Sequence, residues 1–263
     1  MAYSKPPVDT SRPHPARVHD FLLGGRNNYP ADRRAAGELP EEAARTARQN
    51  RAFMHRAVGW LASIGVEQYL DVGSGIPTEP NLHQIVQRVR PACRIVYTDN
   101  DPVVLRHAQA RLTGSPQGAT HYVQADVRDP ADLLEQARAL LDFGRPVALS
   151  LIGLLHVLPD DQDPYGIART LVGAMPSGAH LVLAHGTSDF APGAEATRGS
   201  THGCATPGRS GIARPRTRGE AARFLEGLDF VEPGLVTAPL WYKDTPPPDD
   251  EMSDVYAAVA RVP

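Results

Sequence analysis

Gln68-Tyr69-Leu70-Asp71-Val72-Gly73-Ser74-Gly75-Ile76-Pro77 is the stretch on which the fold turns. Its apolar residues do not alternate with polar ones on the way to Val72, as expected of a strand buried on both faces. Gly73 and Gly75 then permit a tight turn and let a ligand approach the backbone with no Cβ in the way. A helix following that turn would add free N–H groups at its start. Ile76-Pro77-Thr78 stand where a dinucleotide-binding turn would carry its third glycine, and Pro77 removes one N–H. On these ten residues alone, a plain strand–helix turn and a ligand cradle both remain open.

Similar runs recur downstream. Arg94–Asp99 (RIVYTD), His121–Asp126 (HYVQAD), Pro146–Gly153 (PVALSLIG) and His180–Gly186 (HLVLAHG) each read as a buried strand. Between them lie helical patterns at about Glu79–Arg90, Pro102–Leu112, Pro130–Leu141 and Pro164–Met175. Asp101, Asp129 and Asp163 precede prolines at three of these starts, as N-caps do. Strand and helix in alternation predict an α/β, Rossmann-like, doubly wound parallel sheet with helices on both faces. A further helix near Arg218–Leu228 and two weaker strands, Phe230–Val236 and Val255–Val262, complete the pattern.

Upstream, residues 1–65 are helix-biased, above all Asp32–Ile64, and read as cover on the domain. The whole chain, 1–263, is expected to form one domain. Thr187–Arg216 is rich in Gly, Pro, Ser, Thr and Arg, and reads as a mobile loop or lid.

Composition bounds the partners. The chain has 27 Lys and Arg against 30 Asp and Glu, so nothing suggests the basic footprint of a nucleic-acid binder. No apolar run is long enough to predict a membrane span, and the polar, Pro-rich start lacks the core of a signal peptide. Two cysteines, Cys93 and Cys204, are too few for a disulfide framework. A cytoplasmic address is the default expectation. The ten histidines show no spacing that suits a metal, and none is expected.

Candidate ligand-binding groups gather at strand ends, where ligands bind in doubly wound sheets. Asp99 ends the second strand, 24 residues after Gly75, where a carboxylate can accept hydrogen bonds from both hydroxyls of a ribose. A carboxylate at a strand tip is expected to support little packing. Asp126, ending the third strand, reads equally as a group for an adenine amino nitrogen or as the start of a turn.

Together, DVGSG, YTDNDP, QADVRDP and LLHVLPD resemble class I S-adenosylmethionine (SAM)-dependent methyltransferases. With PARVHDFLLGGRNN, RQNRAFMHRAV, DVGSGIPTEPN, VYTDNDPVVL, DDQDPYGI and VEPGLV, the chain is more closely similar to an actinobacterial SAM-methyltransferase-like family. The likeness runs from about Arg12 to the end. It implies a seven-stranded sheet whose last strand is antiparallel. It implies SAM as cofactor, with Asp71 toward the methionine amino group and Gly73, Ser74 and Gly75 beneath the cofactor. Asp99 and Asn100 would hold the ribose, and Asp126 and Val127 would flank the adenine. Leu151, Ile152 and Gly153 would line the cavity near the sulfonium. The acceptor implied is a small molecule.

The cofactor carries the hard step in such a reaction, and the protein aligns the acceptor and excludes water. His156, just after the fourth strand, is the first candidate for a base, and His185 the second. Each reads equally well as a hydrogen-bonded structural residue. Gly24 and Asn28 lie in a segment, Arg17–Asn28, too rich in Gly and Asn for a plain packing helix; it is expected to cover the pocket with its amides aimed at the ligand. Arg45, Arg48 and Arg56 read as a solvated helix face, with Arg51, beside Asn50, set apart by the resemblance. A non-catalytic SAM- or nucleotide-binding protein and, less well, a nicotinamide-dependent oxidoreductase remain as alternatives.

Overall fold

The computed structural model describes residues 9–111, 114–190, 214–242 and 253–263. Three helices precede the sheet: α1 (Pro15–Leu22), α2 (Pro30–Gly37) and α3 (Ala43–Ser63). Then come β1 (Gln68–Val72), α4 (Leu82–Val89), β2 (Arg94–Asp99), α5 (Pro102–Arg111), β3 (Ala119–Gln124), α6 (Pro130–Arg138) and β4 (Val147–Ile152). After these follow α7 (Pro164–Gly173), β5 (His180–Gly186), α8 (Arg218–Ala222), β6 (Asp229–Phe230), β7 (Val236–Thr237) and β8 (Val255–Arg261).

The aspartates before the helix prolines act as the sequence implies. Asp101 accepts from Val103 N at 2.8 Å, Asp129 from Asp132 N at 3.2 Å and Asp163 from Gly166 N at 2.9 Å. Strands β1 to β5 pair in parallel in the order β3-β2-β1-β4-β5. Strand β8 runs antiparallel beside β5, and β6 and β7 both pair with β8.

The sheet therefore has eight strands where the resemblance implies seven. Phe230–Val236 is not one strand. Pro233 lacks a donor for the ladder and Gly234 sits at φ +84°, so the segment pairs with β8 only in two short pieces. A second correction concerns β3. It has one neighbour, lies at the edge of the sheet, and is only half-buried along most of its length.

Each face of the sheet carries an apolar layer. On one side α3 lays Phe53, Ala57, Val58 and Leu61 against Ile95 and Val182. Phe53 and Trp60, seven apart, both meet Trp241 edge-on, with ring centroids 5.5 and 6.2 Å away. On the other side α6 and α7 cover Leu70, Leu149, Leu151, Leu181 and Leu183. The strand order reverses between β1 and β4, where Asp71 is in register with Ser150. The carboxyl ends of these two strands open a crevice there.

Candidate functional site

The turn after β1 is left-handed at both glycines, φ +71° at Gly73 and +66° at Gly75. Gly73 N and Ser74 N both donate to Thr98 O, at 2.8 and 3.0 Å, which folds the turn onto the end of β2. A Cβ on Gly73 would lie 2.7 Å from Leu154 Cδ1, so a side chain is excluded there on two counts. Gly75 N donates to Asp99 Oδ2 and Asp101 N to Asp99 Oδ1, each at 2.9 Å.

Asp99 is therefore buried, at 7% exposure, and ties the two loops together. That overturns the expectation of a carboxylate with little structural work. Burial pushes its pKa up, against the two backbone N–H bonds that favour the charge. A carboxylate has about four lone-pair sites, so two remain for ligand hydroxyls.

Asp71 keeps accessible surface although protein encloses it, the combination that marks a crevice wall. Burial pushes its carboxyl up to about 6; the Ser150 hydroxyl and the Arg51 guanidinium pull the other way, while Asp99 adds to the rise. Arg51 reaches in from α3 and donates from Nη2 to Pro80 O at 2.7 Å and to Thr78 O. It thus clamps the loop after Gly75 while facing Asp71. Beside it Asn50, 8% exposed, turns its amide toward Gly153, and its Oδ1 is buried without a hydrogen-bond partner.

Other expected residues divide. Ser74 Oγ lies 3.2 Å from the Tyr122 hydroxyl. Asn100 Nδ2 donates to Asp126 Oδ2 at 3.2 Å, and Arg128 forks onto the same carboxylate. Chiefly through Arg128, the Asp126 pKa falls to about 2. Val127 packs its side chain into the apolar layer, at 8% exposure. Leu151 is a correction: it has no accessible surface and belongs to the core, whereas Ile152 and Gly153 keep accessible surface. Adjacent residues of a strand point to opposite faces, and the accessible one here is Ile152.

Behind β4 and β5 lies a histidine cluster. Gly186 N donates to His156 Nδ1 at 3.3 Å. His185 Nδ1 lies 2.7 Å from Gly186 O, and Arg216 Nη1 lies 3.0 Å from His185 Nε2. Arg216 is wholly buried, pairs with Asp160 Oδ1 at 2.6 Å, and faces the rings of Tyr165 and Phe224. Burial holds His156 down at about 4, helped by His19 and Arg216, and holds His185 well below its ordinary value.

His19 comes from α1. Water reaches it, yet protein surrounds it closely enough to push its pKa down to about 4, with Arg51 adding to the fall. The His19 side chain is exposed and stands within electrostatic reach of Arg51, Asp20 and His156.

Helix α1 is held over the strand tips. Arg17, 4% exposed, places Nε 3.4 Å from Asp101 Oδ2 and 3.7 Å from Asp32 Oδ1. His14 Nδ1 is 3.2 Å from the same Asp101 oxygen. Ala16 is the side chain that a Cβ on Gly75 would approach, at 4.0 Å. The adjacent glycines end α1 in a Schellman turn: Gly24, φ +80°, donates to Phe21 O and Gly25 to Asp20 O. A Cβ on Gly25 would collide with the Asp20 carboxylate.

Asn28 does not aim its amide at a ligand. It donates to Asp20 Oδ2 at 2.8 Å and Gly25 O at 3.0 Å, and accepts from Arg33 Nε at 2.7 Å. Gly24 is exposed, with open space where a Cβ would sit. Helix α1, rather than the turn after it, meets the strand tips.

Arg56 also departs from its reading as a solvated side chain. It donates to Trp241 O and Ala238 O at 2.8 and 2.6 Å and covers the Tyr242 ring. Cys93 is buried and free, its thiol pushed up to about 11 by burial. Most of the expected lid, Thr187–Arg216, lies outside the described residues, as does Cys204. The ends of that segment are fixed: Thr187 N donates to Asp254 O at 2.8 Å, and Arg216 N to Gly186 O at 3.0 Å. Arg216 was hidden by its place in a Gly-rich stretch, although Thr217-x-x-Glu220 reads as the capping box that the structure forms there. A groove of about 590 Å³ beside α4, lined by Glu79, Pro80, His83, Gln87 and Ser115 among others, contains none of the strand-tip carboxylates and neither His156 nor His185.

Residues 1–263 match the model of a family described as S-adenosyl methyltransferase. A crystal structure of a DUF574 family protein from Streptomyces avermitilis is 42% identical, covering 98% of this chain and all of that one, with a TM-score of 0.88. A Thermobifida fusca protein described as a methyltransferase candidate is 34% identical over 100% of this chain and 99% of its own, with a TM-score of 0.84. Magnesium protoporphyrin IX methyltransferase from Synechocystis, solved with S-adenosylhomocysteine (SAH), is 13% identical over 87% of this chain and 91% of its own; at a TM-score of 0.52 it shares the fold. No curated protein matches the chain.

Proposed function

The chain belongs to the S-adenosyl methyltransferase family, and from that membership we propose that it methylates a small-molecule acceptor held between the β1 and β4 tips and α1. It is a SAM-dependent methyltransferase. We assign the action to the cytoplasm.

The observation that carries the site assignment is the lock between the Gly73–Gly75 turn and Asp99, at the point where the strand order reverses. The donor set suits SAM. Asp71, a carboxylate on the crevice wall, is placed for the ammonium of the methionine part. The side-chain-free turn leaves room beneath the cofactor, with Ser74 beside it. The two spare lone-pair sites of Asp99 suit ribose hydroxyls. Asn100 and Asp126 close the adenine end, where the Val127 backbone takes part. Ile152 and Gly153 take the place near the sulfonium that Leu151 does not reach. Bound SAM supplies a methyl group already activated by the sulfonium. The protein then has to align the acceptor and exclude water, which helix α1, through His19, and Arg51 are placed to do. His156 faces the acceptor from the β4 side.

Calorimetry tests this. SAM and SAH are expected to bind, and NAD is not. Heat on adding NAD, with none on adding SAM or SAH, would reverse the assignment of the crevice.

A further inference from the structure

Proton positions in the histidine cluster follow from its partners. A carbonyl oxygen only accepts, so the His185 Nδ1 that lies 2.7 Å from Gly186 O carries the proton. A guanidinium only donates, so His185 Nε2, 3.0 Å from Arg216 Nη1, is the acceptor. His185 is therefore neutral and held in one tautomer. Gly186 N–H donates to His156 Nδ1, so the single proton of a neutral His156 sits on Nε2. Arg216 enforces this twice. Its side chain orders His185, and its charge disfavours a second proton on His156, while its backbone N–H joins His185 on Gly186 O. The groups facing this pair are His19, Arg214 and Arg216, and all of them disfavour added positive charge on the rings.

We propose that Arg216 is a positioning residue that holds His156 as an Nε2–H hydrogen-bond donor, and that the methyl acceptor it meets is an acidic oxygen, ionised before the transfer. This rests on the crevice being the methyl-transfer site. The lone-pair count excludes a neutral amine, and His156, with Nδ1 occupied and Nε2 protonated, offers no base to a neutral hydroxyl, which leaves an ionised oxygen. A neutral amine has one lone pair, and accepting the His156 proton with it would block attack. A phenolate or carboxylate oxygen accepts with one pair and attacks with another. The new C–O bond forms from the acceptor's pair, and the C–S bond breaks with its electrons left on sulfur. No proton moves, so no base is required. The proton that made the acceptor acidic has already gone to solvent.

The test reads His156 directly. Protein labelled with ¹⁵N in the imidazoles, complexed with SAH, is observed by long-range ¹H–¹⁵N correlation, with His156→Gln to assign the signal. The expected pattern at neutral pH is a neutral ring protonated on Nε2. An Nδ1–H ring, a rapidly exchanging mixture or a cation would overturn the donor assignment. Benzoate, 4-nitrophenolate and aniline, an amine that is neutral at this pH, are then added separately. The first two are expected to shift the Nε2–H signal, and the amine is not. A response to the amine, or to none of the three at millimolar concentration, overturns the oxygen assignment. In Arg216→Gln the fixed tautomer is expected to be lost while SAH still binds, and Arg216→Lys is expected to restore it. A His156 signal unchanged in a folded Arg216→Gln overturns the role of Arg216. Calorimetry on the same samples separates this from the wider reading: failure to bind SAH counts against the crevice, whatever the tautomer.

Discussion

Replacing Asp99 by alanine separates its structural role from the ribose-binding role proposed for it. The change orphans the Asp101 N–H, which lies in a buried residue, and the Gly75 N–H, which water can reach. A buried donor left unpaired costs about 1–3 kcal/mol, and an accessible one about 0.5–1.5 kcal/mol. Part of that is offset, because an ionised carboxylate in so dry a place is itself strained by desolvation, as its raised pKa indicates. The expected net loss is about 1–3 kcal/mol. At about 2–4 °C per kcal/mol for a chain of this size, the melting temperature should fall by roughly 2–12 °C. Cofactor affinity should fall separately. Hydrogen bonds to a charged group contribute about 1.5–3 kcal/mol, so SAH should bind about 10- to 140-fold more weakly by calorimetry. An unchanged melting temperature would show that the Gly75 and Asp101 amides do not depend on Asp99. Unchanged SAH affinity in a folded variant would show that the ribose site lies elsewhere.

Gly73→Ala meets a backbone at φ +71° and the Leu154 methyl together, for a loss of about 2–5 kcal/mol in urea unfolding. Adding Leu154→Ala should relieve the collision and leave the backbone strain; full recovery would refute the left-handed turn. Asp71, with its pKa raised to about 6, loses charge as pH falls, so SAH affinity should drop between pH 7 and 5. Its contribution to stability has the opposite sense: it is present below the ordinary carboxylate value and lost as pH rises through about 6. Asp71→Asn should flatten both profiles, and a wild-type profile in that variant would acquit Asp71. Arg17→Met leaves the buried Asp32 and Asp101 facing each other without their guanidinium, at a cost of about 3–5 kcal/mol. Hydrogen exchange should quicken over residues 15–37 and SAH should bind more weakly; an undisturbed exchange pattern would show that other contacts hold α1 down.

The legible part of this protein is what its backbone decides locally. The continuous apolar runs of β1, β2, β4 and β5 are legible because such a run is long enough to be buried on both faces, whereas β3 is a half-buried edge strand. The same continuity hid which of Leu151 and Ile152 turns toward the crevice, since a strand apolar on both sides carries no facing signal. Gly24 and Gly25 announced a turn but not its purpose: the room they make is used by Asp20, which then engages Asn28. What was illegible comes from far along the chain. Arg51 reaches Thr78 and Pro80 from another helix, and Arg216 reaches His185 from beyond a Gly-rich stretch. Neither contact has a spacing in sequence, because both depend on how α3 and the approach to α8 pack on the sheet. The division follows the chemistry. Groups proposed for the cofactor sit on the strand tips and were open to reading. Of those proposed for the acceptor, His156, His185 and the segment that carries His19 are singled out in the sequence, whereas the contacts of Arg51 and Arg216 arise only from tertiary packing. In a site built as proposed, substrate choice can change through the packed elements while the turn proposed for the cofactor stays as it is.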